Sequence, residues 1–506
     1  MAECFIGVDS GTQGTKALVV EGKSGKILGS ATAAHAMVEG LGPGEMEQEP
    51  KGWVVAMERT IRGAVKAAGV GAAEVKAVAV SGQQHGLVAL DAAGEVIRPA
   101  KLWCDTSTAS EAEGLVRKVG GREEFIRLTG NGLPAGFTAS KILWLKQREP
   151  KNYARLATVL LPHDYLNFYL TGKRAMEAGD ASGTGLLDTK TRNWASAVIE
   201  AIDPGLSKAL PAIVPSSQPL GEMALTVARR LGLAADTLVA TGGGDNMMGA
   251  IGTGNIRPGI VTASLGTSGT IYAYSTRPTV DPAGEVAAFC DSTGAWLPLV
   301  CTMNVTVATE IVRGLLKLNH EQLTRLASEV PAGSEGLMLL PYFHGERTPD
   351  LPLGKGVWFG ATSRNMTPGH MARAAMEGAA LGLGYGLNRL RDLGVRPKQI
   401  RITGGGSKNP VWRQILADVF DCEVVGLQTS EGAAFGAAIQ AKWAYMNHKG
   451  LKARIQDIAD AMVKVDPSTA AKPDRSRVKR YRGLQDLHGE LSRVLGPLFV
   501  KHAALG

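Results

Sequence analysis

At 506 residues the chain is longer than a single hydrophobic core usually grows, so two domains are expected. The formal charge of +8 does not mark a polyanion binder, because Lys and Arg are spread along the chain against 47 acidic residues, and nucleic acid is not an expected partner. Five cysteines without close pairs exclude a disulfide framework and a zinc site, and the lack of a leader-like segment or a bilayer-length apolar run leaves a cytoplasmic protein with no membrane partner.

The opening Cys4 to Asp9, the stretch Ser10 to Lys16 and the run Ala17 to Val20 read as two strands joined by a Gly/Thr turn, with a third strand near Ile27. Val75 to Val80 is an apolar strand ending in the polar loop Ser81-Gly82-Gln83-Gln84-His85-Gly86, and a second such loop is Leu102-Trp103-Cys104-Asp105. Helical spacing covers 141–146 and 164–170, while 177–187 reads as a loop rich in Gly, Ser and Asp. Near the middle, Thr237 to Ala240 leads into Gly242-Gly243-Gly244-Asp245-Asn246 and then a small-residue helix. Three glycines let the backbone approach a ligand, and Asp245 falls at a helix N-terminus, where negative charge is favoured and where Asp also serves as a simple cap.

Ile260 to Tyr274 then repeats the opening hairpin, with Gly-Thr-x-Gly-Thr at both tips. The Asp245 segment also has a downstream counterpart, Glu431 before a second small-residue helix. Two matched features in the same order point to duplicated domains, 1–255 and 256–506. Further helices are expected over 305–318 and 370–393; Ile400 to Thr403 is a strand feeding Gly404-Gly405-Gly406, and 410–420 is a helix with Pro near its start. The basic cluster Arg475 to Arg482 lies in a helical tail and reads as a solvated face.

A Gly-Thr hairpin offers backbone N–H groups and a hydroxyl to polyphosphate oxygens. Gly11 and Thr12 in the first and Gly266 and Thr267 in the second are therefore candidate nucleotide contacts, two hairpins closing on one set of phosphates. Asp9, at a strand end, is placed to hold Mg²⁺ directly or through water, and Lys16 either reaches a phosphate or ends its strand in solvent. Neither hairpin has Walker or Rossmann spacing. The Gly404 to Gly406 turn either admits a ligand at a helix N-terminus or is a tight connection. Gln83, Gln84, His85, Trp103, Asp105 and Asn246 supply the amides, imidazole, carboxylate and flat face that suit a polyol, with a purely structural role the alternative for His85.

Taken together, Asp9-x-Gly-Thr-x-x-x-Lys16, Gly82-Gln-Gln-His-Gly86, Leu102-Trp-Cys-Asp105, Gly242-Gly-Gly-Asp-Asn246, Ser264-Leu-Gly-Thr-Ser-Gly269, Leu340-Pro-Tyr-Phe-His-Gly-Glu-Arg-Thr-Pro349 and Gly404-Gly-Gly-Ser resemble the FGGY carbohydrate kinases, most of all those that phosphorylate xylulose. The resemblance implies an α/β fold of two duplicated actin/hexokinase/Hsp70-like (ribonuclease H-like) domains, sugar bound mainly by the first and ATP by the second in an interdomain cleft. It makes Asp245 the general base and Asp9 the partner of Mg²⁺ and the phosphates; Gln84 and His85 match the family's sugar-contacting pair, and Gly404, Gly405 and Asn409 lie in its adenosine segment. Gln84 stands where Met is common and Cys104 where some relatives have Asn, both on the sugar side. The expected reaction is ATP-dependent phosphorylation of D-xylulose, with ribulose, gluconate or glycerol as other acceptors and an actin-like or chaperone-like ATPase as the reading from another class. A homodimer is among the open assemblies.

Overall fold

Strand β1 (Cys4–Ser10) is buried along nearly its whole length, as its run of Cys, Phe, Ile and Val demands. It pairs antiparallel with β2 (Gly14–Glu21), which pairs antiparallel with β3 (Ile27–Ala34), so the expected three-stranded opening is present. On its other side β1 runs parallel to β4 (Val75–Gly82), and the sheet continues through two later strands, β5 (Pro219–Glu222) and β6 (Leu238–Ala240), in the order β5-β6-β4-β1-β2-β3. The strands that run parallel are largely apolar, with polar residues such as Asp9, Ser10 and Ser81 gathered at their C-terminal ends, because helices cover both faces of such a sheet. The computed structural model describes residues 3–429 and 431–505.

Two units emerge from the contacts. The first holds the sheet just described and comprises the chain through Arg257 together with 274–297 and 431–463. It therefore differs from the division at residue 255 expected from the sequence, by the two later segments it takes in. One reason is steric. A Cβ on Gly7 of β1 would lie 1.8 Å from the carbonyl oxygen of Ala434, one on Gly252 1.9 Å from that of Gly432, and one on Gly436 1.8 Å from that of Met248. Strand β1, the helix Asp245–Gly252 and the helix Gly432–His448 thus meet backbone to backbone, a closeness only glycine permits.

The second unit has its own mixed sheet, containing β7 (Ile260–Leu265), β8 (Gly269–Ala273), β9 (Trp296–Thr302), β10 (Gln399–Thr403), β11 (Glu423–Leu427) and β12 (Val465–Ala471). Their order is β9-β8-β7-β10-β11-β12. Here too a three-stranded antiparallel block is followed by two parallel strands and an antiparallel edge. The two sheets therefore share one plan, the duplicated α/β fold read from the repeated hairpin. The helix expected over 370–393 spans Pro368–Asp392, and the basic tail forms the long helix Arg475–Ala503, where Arg477 pairs with Asp418 and Arg482 with Asp421. Among the described residues no helix is long and apolar enough to cross a membrane.

Candidate active site

In the first unit the backbone turns at Gly242, whose φ of 66° suits glycine and where a Cβ would lie 2.0 Å from the carbonyl oxygen of Val80. Gly243 and Gly244 then pair parallel with Ser81 and Gly82 at the end of β4. Gln440, from the late helix, accepts from the Gly242 N–H at 2.8 Å and donates to its carbonyl at 2.9 Å, pinning the turn from both sides. Gly244 is the cap of the next helix and Asp245 its first residue, so Asp245 is not a simple N-cap. Its Oδ1 accepts from the Asn246 backbone N–H at 2.7 Å and from Asn246 Nδ2 at 2.9 Å. Burial, with Asp9 and Asp180 adding repulsion, pushes the Asp245 carboxyl up to about 7.

Asp9, on the neighbouring strand end, accepts from Ser81 Oγ at 3.0 Å, and among the described residues none donates to its second oxygen. Burial pushes it up to about 6, opposed by the Ser81 hydrogen bond and by Lys16 and reinforced by Glu431. One carboxylate with an oxygen to spare fits Mg²⁺, which keeps most of its waters and takes one or two carboxylates plus substrate phosphates. Across the strand pair from Asp9, Lys16 donates to Glu431 Oε2 at 2.6 Å, so in this structure its ammonium is committed to an ion pair. The hairpin tip is bound inward as well: His35 contacts Thr15 Oγ1 at 2.7 Å and the Gly11 carbonyl at 3.1 Å. Thr12 Oγ1 donates to Gln83 at 3.2 Å and accepts from the Trp103 indole at 2.8 Å.

The polar loops join this centre unequally. Gln84 is buried, accepts from Asn246 Nδ2 at 3.0 Å and donates to Asp180 Oδ1 at 3.3 Å. His85 has a φ of 65°, unusual for a side chain with a Cβ, and is held on every side. Its Nδ1 sits 2.7 Å from the Gly183 carbonyl, its ring stacks on Phe137 with centroids 4.4 Å apart, and its own carbonyl accepts from Thr138 and from the buried Lys141. Trp103 is more than a third exposed. Asp105 stands apart: fully buried, it accepts from Lys101 Nζ and the Met46 N–H on one oxygen and from Ser107 on the other, so its carboxylate fixes its own loop.

The second unit offers a cavity of about 1160 Å³ lined in part by Thr306, Met376, Gly405, Asn409 and Trp412. Asn409 caps the helix Pro410–Phe420, accepting from the Val411 and Trp412 N–H groups, and holds Thr324 through Nδ2. Gly404 does not line that cavity; its φ of 83° and a Cβ that would meet the Leu265 carbonyl at 2.6 Å make it the tight junction behind it. The carbonyls of Gly266 and Thr267, at the second hairpin tip, accept from the N–H groups of Thr306 and Val305 and so hold the helix Thr306–Leu315. Gly266, Thr267, Gly404, Gly405 and Asn409 are thus brought to one region of the unit, the two hairpin residues as its frame.

Two family models match, one for the N-terminal domain of the FGGY family of carbohydrate kinases over residues 4–252 and one for its C-terminal domain over 261–445. The chain belongs to the FGGY carbohydrate kinases. It is 43% identical over 484 residues to a xylulose kinase of Haemophilus influenzae, an alignment covering 94% of this chain and 97% of the relative. Among solved structures, xylulose kinase from Rhodospirillum rubrum superposes with a TM-score of 0.88 at 28% identity, covering 98% of this chain and all of the other. Gluconate kinase from Lactobacillus acidophilus superposes as well, TM-score 0.91 with 99% and 100% coverage, but at 24% identity that shows the shared fold alone.

Membership makes this FGGY chain a phosphotransferase with ATP as a substrate. Several residues around its centre escape a reading of motifs. Gln440 reaches the Asp245 turn directly, Asp180 is linked to it through Gln84, and His163 stands behind Asp180; only the Asp in the 177–187 loop carried any signal. Within that stretch 178–181 is a short helix, capped by Glu177, which accepts from the Gly179 and Asp180 N–H groups.

Proposed function

We propose that this FGGY kinase transfers the γ-phosphoryl group of ATP to the terminal hydroxyl of D-xylulose, giving D-xylulose 5-phosphate and ADP. The observation that carries the reaction is the half-buried Asp245 carboxylate at the strand tip, oriented by Asn246 and poised near neutrality by burial and by Asp9. In phosphoryl transfer the protein mostly positions the reactants and neutralises charge, and a carboxylate takes the attacking hydroxyl's proton late in a loose transition state. Asp245 is that base: the hydroxyl oxygen bonds to the γ-phosphorus, its proton passes to Asp245, and the bond to the ADP oxygen breaks.

Asp9 would hold Mg²⁺ together with the phosphates of ATP, and the ion's charge, when bound, offsets the negative charge that builds on the transferring group. The first unit binds the sugar through Gln84, His85, Trp103 and Asn246, with the fixed His85 ring as the least movable contact. The second unit takes the adenosine in its cavity beside Gly405 and Asn409. The choice of D-xylulose rests on the full-length similarity to the Haemophilus influenzae protein named as a xylulose kinase.

The test is ADP release by the purified protein with D-xylulose, D-ribulose, gluconate, glycerol or no acceptor. D-Xylulose should give the highest kcat/KM, and a sugar-independent ADP release of equal rate would overturn the kinase reading. A higher kcat/KM for another acceptor would overturn the substrate alone.

A further inference from the structure

Behind the base lies a connected polar chain that the phosphoryl transfer itself does not need. Asn246 Nδ2 donates to Asp245 and to Gln84 Oε1 at 3.0 Å, and Gln84 Nε2 donates to Asp180 Oδ1 at 3.3 Å. Asp180 Oδ2 then shares a hydrogen bond with His163 Nδ1 at 2.7 Å, and His163 Nε2 lies 3.0 Å from Asp164 Oδ1, an ion-pair distance without hydrogen-bond geometry. Asp180 and His163 are completely buried. Nδ1 is hydrogen-bonded to one carboxylate and Nε2 lies close to another, so the imidazolium suits the site best, since a neutral ring would set a nitrogen lone pair against one of the two. Burial opposes that charge, and the two carboxylates more than offset it, holding the imidazole well above its ordinary value.

We infer that His163 and Asp180 form a positioning pair, in which the Asp180 carboxylate fixes which way the Gln84 amide faces and thereby, through Asn246, the Asp245 carboxylate, while the His163 ring limits how strongly Asp180 repels it. The direction of every donor follows. A carboxylate at 180 accepts only, so Gln84 must present its NH₂ there and its oxygen to Asn246, which then has both N–H bonds committed. A neutral pair in the same place would hold the geometry but not the electrostatics. The charged groups facing this set are Asp164 on the His163 helix, Glu177 at the cap of the Asp180 helix, and Asp9, itself beside Glu431 and Lys16. Burial raises Glu177 to about 7, so near neutrality it adds only part of a charge.

The inference rests on Asp245 being the base, and the pH profile of kcat/KM for D-xylulose phosphorylation tests the two separately. Asp180→Asn keeps an amide oxygen for Gln84 and removes one negative charge, so the acidic limb should move down by on the order of one pH unit. His163→Gln removes the countercharge and should move the limb up by a similar amount, and His163→Lys should return it to the wild-type position. Limbs that stay in place while turnover falls, or that move the same way in Asp180→Asn and His163→Gln, overturn the pair. Should His163→Gln not fold, a downward shift in Asp180→Asn with none in His163→Lys still supports it, and no shift in Asp180→Asn overturns it. Asp245→Asn separates the premises: an inactive variant with unmoved limbs in the others defeats the pair alone, whereas retained turnover defeats the base and the pair together.

Discussion

The two Gly-Thr hairpins are alike in sequence and unlike in chemistry. Each joins the first two strands of its own mixed sheet, and each tip is Gly-Thr-x-Gly-Thr. Where the first has Asp9 and Lys16 the second has Ser264 and Ile271. The pairing differs as well, because the last pair before the first turn is Ser10 with Thr15 and before the second is Leu265 with Gly269. The first tip is tied by side chains, His35, Gln83 and Trp103, whereas the second lends its carbonyls to the start of a helix. Duplication has thus preserved the frame with a division: the carboxylates Asp9 and Asp245 belong to the first unit, whereas the second tip braces a helix beside a cavity lined by Thr306 and Asn409 together with Glu310, His320 and Lys408.

The sharpest way to break this division is Asp245→Asn, which should lose about 10²-fold or more in kcat, the usual scale for a general base. Its fold should gain. A carboxyl whose folded value is raised above its unfolded one costs stability once pH exceeds the unfolded value, and the cost is complete above the folded value of about 7. Asp245→Asn should therefore raise Tm at pH 8 and leave it unchanged at pH 3.5, to be read by calorimetry across pH. The same upward shift sets the wild-type profile: kcat/KM should rise through pH of about 7 and level off above it, the base being active only when deprotonated.

A smaller effect separates the two tips directly. Asp9→Asn should raise the Mg²⁺ concentration needed for half-maximal turnover, while Ser264→Ala, at the matching position of the second hairpin, should leave it unchanged; a metal titration of both decides. Smaller again is Lys16→Ala. Its pair with Glu431 is about a third exposed, and exposed pairs contribute roughly 0–1 kcal/mol, so stability should change little. If KM for ATP rises severalfold in that variant, Lys16 leaves Glu431 for a phosphate during turnover.

Much of this was legible in the sequence, because strands and glycine turns are local properties. The repeated hairpin revealed the duplication, and the Asp245 turn with its glycines emerged as strand, turn and helix within a residue or two. What the sequence left obscure depends on partners distant in the chain. Asp105 belongs to the right loop, yet nothing in Trp-Cys-Asp discloses that Lys101 and Met46 occupy its carboxylate. Nor does a glycine in a small-residue helix announce that a carbonyl lies where its Cβ would go. Glu431 was matched to Asp245 as an equivalent in another domain, whereas its helix packs in the same unit as that of Asp245 and its carboxylate meets Lys16.

The glycine contacts of Gly7, Gly252 and Gly436 have a consequence for the protein's synthesis. The segment that seals β1 and buttresses the Asp245 turn through Gln440 is made nearly two hundred residues after Asp245. A nascent chain that has just completed Gly252 therefore holds every residue of the proposed base and sugar loops but lacks the helix that supports them. Maturation of the site should wait until the ribosome has passed His448, so fragments released earlier, however complete their motifs, should expose the unsealed face of β1 and be recognised as unfinished.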